Sequence, residues 1–443
     1  MISALKFIRQ GVAQTKPVKY EMTEEEYQKI AERASEEIEQ AKQKMEQEKE
    51  KIDEDLAEYK LEEYDEEDEN EDDAGGLFFG NVKGLTYHNN NEEDPYILIK
   101  EEEEEEEEED VEIRDTDHLL LATKTEDDIS HLEVYVYEPE DHNLYVHHDI
   151  MLPSFPLCVE WIGYSFDETK PFGNMAAVGT LDPEIEIWNL DVLDVMFPQA
   201  ILGESKKSKK SKKSKSRHVD SVLSLSWNAN HSNVLASGSA DKTVKLWDLS
   251  SQTAVASLDY HKDKVQAVQW NEKQSAILLT GSYDKTAVCA DVRDVESKTQ
   301  PTWNLPADVE CLKWNPFDEN KFLVSLENGH VMYADVRQPG QFIFTLNAHD
   351  DKPVSALDWN YKLPNIFITG AVDKTVKIWD LATGSPSCID SKDLEVGKVF
   401  ASSFCCDSPF LFAAGGNKGK IKVMDLLNVN STRPIFQEKA KVN

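Results

Sequence analysis

Two stretches of this sequence carry residues of the types and spacing that catalysis uses. His218, Ser237 and Asp241 stand in order with Trp247 close behind, and His349, Thr369, Asp373 and Trp379 repeat the arrangement. A histidine set between a hydroxyl and a carboxylate is how hydrolases activate a nucleophile. A nucleophilic set serves one site, however, and this one recurs. A third copy, His261, Thr280 and Asp284, keeps the His-to-Asp separation of 23 or 24 residues but has Ala290 where the tryptophan should stand. Buried Asp, His and indole N–H groups are costly to desolvate unless they satisfy one another. The recurrence therefore predicts a brace in successive repeats and no catalytic residues.

The remaining chemistry is charge. Lys206, Lys207, Lys209, Lys210, Lys212, Lys213, Lys215 and Arg217 lie within 205–217, interleaved with serines and with no acid or apolar residue between them. Such a run predicts a solvated basic loop, serving as a nuclear-targeting signal, as an RNA or DNA contact, or as a partner for the protein's own acid. The interleaved serines would let phosphorylation cancel its charge. The chain as a whole carries −38, but residues 21–117 hold 41 acids against 10 bases, so most of the excess belongs to one segment. The glutamates from Glu101 to Glu109 form its densest part. No glycine-rich phosphate loop is evident, since GGNKGKIK at Gly415 lacks the spacing and reads as a turn. His147 and His148 sit next to each other on an alternating strand and are expected to point to opposite faces, which makes them poor joint metal ligands. Six cysteines without zinc spacing are read as reduced, buried and intracellular. No metal, cofactor, small-molecule substrate or membrane is expected, because no apolar run approaches the roughly 18 residues of a span.

The elements that must position these residues follow from a repeat. LASGSADKTVKLWDL (235–249) recurs at 367–381 as FITGAVDKTVKIWDL and, worn, at 279–292. Each copy reads as two strands around an Asp-Lys turn, with period-two alternation in the second. Third strands end near Tyr137, Trp188, Trp247, Ala290, Ala334, Trp379 and Met424. The last four intervals, 43, 44, 45 and 45 residues, match four-stranded propeller blades, about 40–45 residues, and the 59 before Trp247 is the same unit plus the basic insert. Seven ends predict an all-β fold, a single seven-bladed β-propeller spanning 118–443. ISALKFI (2–8) matches VSALDWN (354–360) and predicts that 1–20 supply the inner strand of blade one, so that the two ends of the chain close the ring. Residues 21–117 then become an acidic insertion in that blade, with a capped helix over about 23–60 and disorder after it. Within it, 84–100 holds aromatic and aliphatic residues worth burying. Residues 433–439 read as one last short strand.

The Trp247-Asp248 and Trp379-Asp380 dipeptides, with Asp-Lys-Thr turns six residues earlier, resemble WD repeats. In that family a His, Ser or Thr, Asp and Trp set pins each blade, which implies the structural role above for His218, Ser237, Asp241, Trp247, His349, Thr369, Asp373 and Trp379. Longer stretches, from ISALKFIRQGVAQTKP through LEVYVYEPEDHNLYVHHDIMLPSFPLCVEWI to FTLNAHD, resemble one eukaryotic WD-repeat family over nearly the whole chain. The resemblance implies a non-enzymatic factor of the nucleus and nucleolus that assembles the large ribosomal subunit, with pre-ribosomal proteins and pre-rRNA as partners. The alternative reading is a histone-binding chromatin factor acting at rDNA.

Overall fold

The computed structural model describes residues 1–20, 22, 112–167, 169–170, 172–203, 216–294, 300–382 and 384–442. The chain divides into two units, Met1–Tyr20 with Val111–Asn443, and Glu21–Asp110. The helix expected at 23–60, the acidic tract and the apolar island at 84–100 lie outside the described residues. The first unit is a ring of seven antiparallel sheets. Blade one is Ile2–Phe7, His118–Glu126, Ile129–Glu138 and Asn143–Leu152; blade two is Pro156–Ile162, Met175–Thr180, Ile185–Asn189 and Ala200–Leu202. Blades three to six run Val222–Leu258, Val265–Asn304, Val309–Asn347 and Ala356–Asp393 with four strands each, and blade seven has three, Val399–Phe404, Leu411–Gly416 and Ile421–Asp425. Each inner strand touches the inner strands of both neighbouring blades, and the last of these contacts joins blade seven to Ile2–Phe7.

The second strand of a blade is buried on both faces, so its residues are small: MAAVGT in blade two and LFAAGG in blade seven are buried throughout. Small residues let the next blade approach. A Cβ on Gly179, Gly238, Gly281 or Gly370 would come within 2.6–2.9 Å of Val222, Val265, Val309 or Val399, each of which opens the inner strand of a neighbouring blade. A Cβ on Gly415 would meet Ile2 Cγ2 at 2.7 Å. Ile2 thus does in the ring-closing joint what a valine does in four of the others. Its strand also shares their irregularity: pairing slips after the first residue at Ile2/Ala4 as it does at Val222/Ser224, Val265/Ala267 and Val399/Ala401. The joint is reinforced by Gln10 N–H donating to Asp407 Oδ2 at 2.7 Å and by His118 Nδ1 lying 3.4 Å from Cys405 Sγ.

After blade one's inner strand the chain runs to blade two, where Val18–Lys19 pairs in parallel with Val192–Leu193 and Gln14 N–H donates to Asp191 Oδ1 at 3.1 Å. Ile113 N–H returns to Thr15 O at 2.9 Å, so the segment that interrupts blade one leaves and re-enters at neighbouring points. Two expectations need correcting. Residues 433–439 belong to a helix, Arg433–Val442. Pro434 suits its first turn, where a missing N–H costs nothing, and Phe436, wholly buried, packs on Phe410 at a centroid distance of 6.4 Å. The adjacent apolar residues Ile435 and Phe436 had suggested a strand. Cys388 is exposed, whereas the other five cysteines are partly or fully buried, and all six are free.

Leu5, 8% exposed, has a methyl 3.1 Å from the position a Gly415 Cβ would take. Leu5→Asp would place an unpaired carboxylate in this joint and should cost on the order of 3 kcal/mol or more. Denaturant unfolding followed by tryptophan fluorescence should lose its midpoint cooperatively for all blades; an unchanged midpoint would mean the terminal strand does not hold the ring.

Candidate functional site

The structure brings the brace residues together. In blade three, His218 Nδ1 lies 2.9 Å from Asp241 Oδ2, His218 Nε2 lies 2.7 Å from Ser237 Oγ, and Trp247 Nε1–H donates to the same Oγ at 2.8 Å. In blade six the distances are 2.8 Å for His349 to Asp373, 2.8 Å for His349 to Thr369 Oγ1 and 2.9 Å for Trp379 to Thr369. One pattern of protons satisfies every atom: indole N–H to hydroxyl, hydroxyl O–H to a neutral imidazole Nε2, and Nδ1–H to carboxylate. Burial lowers the His218 pKa and outweighs the attraction of Asp241. Burial alone would raise Asp241, but hydrogen bonds from His218 and Thr243 hold it well below the usual carboxylate range. Ser237 is wholly buried with its oxygen engaged on both sides, so this triad-like set has no opening toward a substrate.

Blade four keeps His261 3.1 Å from Asp284 and 2.9 Å from Thr280 without a tryptophan. The donor that Ala290 cannot supply comes from Tyr260, whose hydroxyl lies 3.1 Å from Thr280 Oγ1. Sequence reasoning missed this residue, although its place beside His261 was a usable signal. Blade two keeps the tryptophan and loses the hydroxyl. Val178 occupies the position of Ser237, and Trp188 Nε1–H donates instead to Glu186 Oε2 at 3.1 Å. Burial pushes Glu186 up to about 7, against the pull of that hydrogen bond.

Of the eight basic residues in 205–217, Lys206, Lys207, Lys209, Lys210, Lys212, Lys213 and Lys215 lie outside the described residues; Arg217 does not. A Cβ on Gly203 would stand 3.5 Å from Arg217 Cβ and 3.3 Å from the Trp247 ring. Gly203 and Arg217, which bracket residues 204–216, are therefore side by side, next to the outer strand of blade two and the brace of blade three. At the mouth of the central channel is a cavity of about 580 Å³ lined by inner strands. Charges there are paired across blades, Lys6 with Glu160 at 2.9 Å and Lys313 with Asp358 at 3.3 Å. Asp358, 1% exposed, also accepts from Phe404 N–H at 2.8 Å, which ties blade six to blade seven.

The two histidines on blade one's outer strand do not diverge as alternation predicts. Val134 pairs with His148 but Tyr135 with Val146, so His147 is the extra residue of a β-bulge, and the two Nδ1 atoms come within 2.8 Å. Burial, with the His147 ring alongside, pulls His148 down to about 4. No group of three His, Cys, Asp or Glu residues placed to hold a metal occurs among the described residues.

Two measurements test the braces. Tyr260→Phe should destabilise the propeller by about 1 kcal/mol in denaturant unfolding, the worth of one hydrogen bond; no loss would mean that Thr280 is satisfied otherwise. The pH dependence has a fixed sign. His218 and His349 titrate below their unfolded value of 6.5, so the unfolded chain takes up protons first as pH falls. Stability should thus be level above about pH 7, decline from about 6.5 downward, and fall again near 4 as unfolded carboxylates protonate before Asp241 and Asp373. A thermal melt series across pH 4–8 in His218→Gln should show a shallower first decline.

A family model for the WD domain, G-beta repeat, matches residues 209–248 and 340–380, which contain the two complete braces. The chain is 41% identical to an uncharacterized WD repeat-containing protein of Schizosaccharomyces pombe, over 99% of this chain and 91% of that protein. It is 36% identical to periodic tryptophan protein 1 of Saccharomyces cerevisiae, over 99% of this chain and 90% of that one, and 32% identical to the Drosophila melanogaster homolog, over 74% and 71%. A chain in the crystal structure of a mitotic checkpoint complex shares the fold alone, with a TM-score of 0.53 at 16% identity, over 71% of this chain and 84% of that chain. With a ring of seven blades and similarity running nearly end to end, the chain belongs to the periodic tryptophan protein 1 family of WD-repeat proteins.

Proposed function

We propose that this protein is a non-enzymatic scaffold for assembly of the large ribosomal subunit in the nucleolus, supporting pre-rRNA processing through protein and RNA contacts. The observation that carries this reading is the seating of the basic segment. Gly203 and Arg217 lie side by side against a braced blade, and the sequence between them holds seven lysines. Flexible phosphate contacts of this kind supply affinity without reading sequence, which suits a protein that holds folding RNA in place.

The segment of opposite sign, 21–117 with its net charge of −31, suits basic partners. Ribosomal proteins and histones both fit it, and the second reading, a histone-binding chromatin factor at rDNA, rests on that charge. Non-enzymatic work agrees with braces whose hydroxyls are sealed.

Crosslinking to RNA in cells separates the two readings. Pre-rRNA reads should map to Lys206–Arg217 and be lost when those eight residues are replaced by Gln, even when an added import signal restores nuclear entry. Recovery of histones with no pre-rRNA reads would favour the chromatin reading, and full function with forced import would reduce the segment to an address.

A further inference from the structure

Residues 1–20 do more than supply one strand of blade one. Beyond the pairing of Ile2–Phe7 with His118–Glu126, Ile8 N–H donates to Leu119 O at 3.0 Å. The chain then passes to blade two, where Val18–Lys19 pairs with Val192–Leu193 and Tyr20 N–H donates to Leu193 O at 3.0 Å. Ile2, Leu5 and Phe7 are buried in one cluster with Leu411 and Ala413 of blade seven, and Ile8 in another with Val159 and Trp161 of blade two. The segment is a strap laid over three consecutive blades.

Three polar ties to the flanking blades run one way. Lys6 Nζ meets Glu160 of blade two at 2.9 Å, Gln14 N–H donates to Asp191 Oδ1 of blade two at 3.1 Å, and Gln10 N–H donates to Asp407 Oδ2 of blade seven at 2.7 Å. In each the strap donates and a carboxylate accepts, which is the stronger class of hydrogen bond. All of these contacts join residues 1–20 to residues 113–443, and none of them needs the chain between. Ile113 N–H donates to Thr15 O at 2.9 Å, so the chain resumes beside the strap it left. A buried apolar centre ringed by polar ties is the anatomy of an interface between separate chains.

We propose that the strap is held as a ligand of the propeller: the seat formed by blades seven, one and two keeps Met1–Tyr20 in place after a protease has hydrolysed a peptide bond within 21–110, water supplying the new carboxylate and amine ends. Such a cut then leaves the ring closed. The inference stands whether or not the basic segment contacts RNA.

The test uses the full chain with recognition sequences for a site-specific protease inserted between Met22 and Thr23 and between Glu109 and Asp110, cut after folding. The fragment 1–22 should migrate with 110–443 on size exclusion at about 1 μM, because its dissociation constant should lie below that value. The melting transition of the cut protein should persist. Excess synthetic Met1–Tyr20 is then added, and loss of the original fragment is followed by mass spectrometry. Glu160→Ala and Asp407→Ala each remove one tie without touching a buried apolar residue, and each should speed that loss by about tenfold. Equal melting temperatures before cutting show that the variants are folded; if one is not, the other decides. The proposal is overturned if the fragment separates on cutting, if 110–443 loses its melting transition, or if the strap leaves the unaltered chain and both variants at the same rate.

Discussion

Everything in this molecule depends on a closed ring, and closure rests on one packing contact between residues at opposite ends of the chain. Blades pack because, at five of the seven joints, a glycine in the second strand leaves space that a branched aliphatic opening the next inner strand fills. Ile2 against Gly415 is the last of these joints. A propeller with six sound joints and one open one would leave two blade faces wet, including Leu120, Ala122, Leu411 and Ala413, all of which are buried in the closed ring. Stability is therefore cooperative around the circle, and no blade can be treated as a separate folding unit.

The braces work on a different scale. They do not hold blade to blade; they fix the approach to a blade, binding the residue before its inner strand to the turn between its second and third strands. Their donors and acceptors run in one direction, with each hydroxyl both accepting and donating, and the set is closed to further chemistry. Such networks give geometric definition more than net stability. The variants show how much freedom the network has. Tyr260 replaces an indole N–H with a phenol hydroxyl, and Glu186 receives an indole whose usual hydroxyl partner is gone. The requirement is a satisfied donor, not a particular residue.

That requirement explains what could be read from the sequence and what could not. The period, the seven blades, the complete braces and the terminal strand were legible because they recur: ISALKFI carries a pattern written again at 158–162, 222–228, 265–271, 309–315 and 354–360. Single events were not. Tyr260 occupies a brace only because Ala290 vacates it, and two positions separated by 30 residues must be read together. The bulge at His147 adds one residue to a strand without disturbing its apolar alternation on either side. The helix after Thr432 falls where a periodic reading leads one to look for a strand, and local apolar residues satisfied either assignment. Nor does the sequence mark that, among the described residues, blade seven has no outer strand.

The position of Ile2–Phe7 also sets the order of events during synthesis. This strand is separated by more than a hundred residues from its partner His118–Glu126, and Asp407, which holds Gln10, is separated from it by 397 residues. At about 5–20 residues per second, the interval before the ring can close is on the order of 20 to 80 s. Pairing with His118–Glu126 can form well before then, but the face of the strand that packs on Gly415 stays open until blade seven is made, and translation rate, not blade stability, governs how long that exposure lasts.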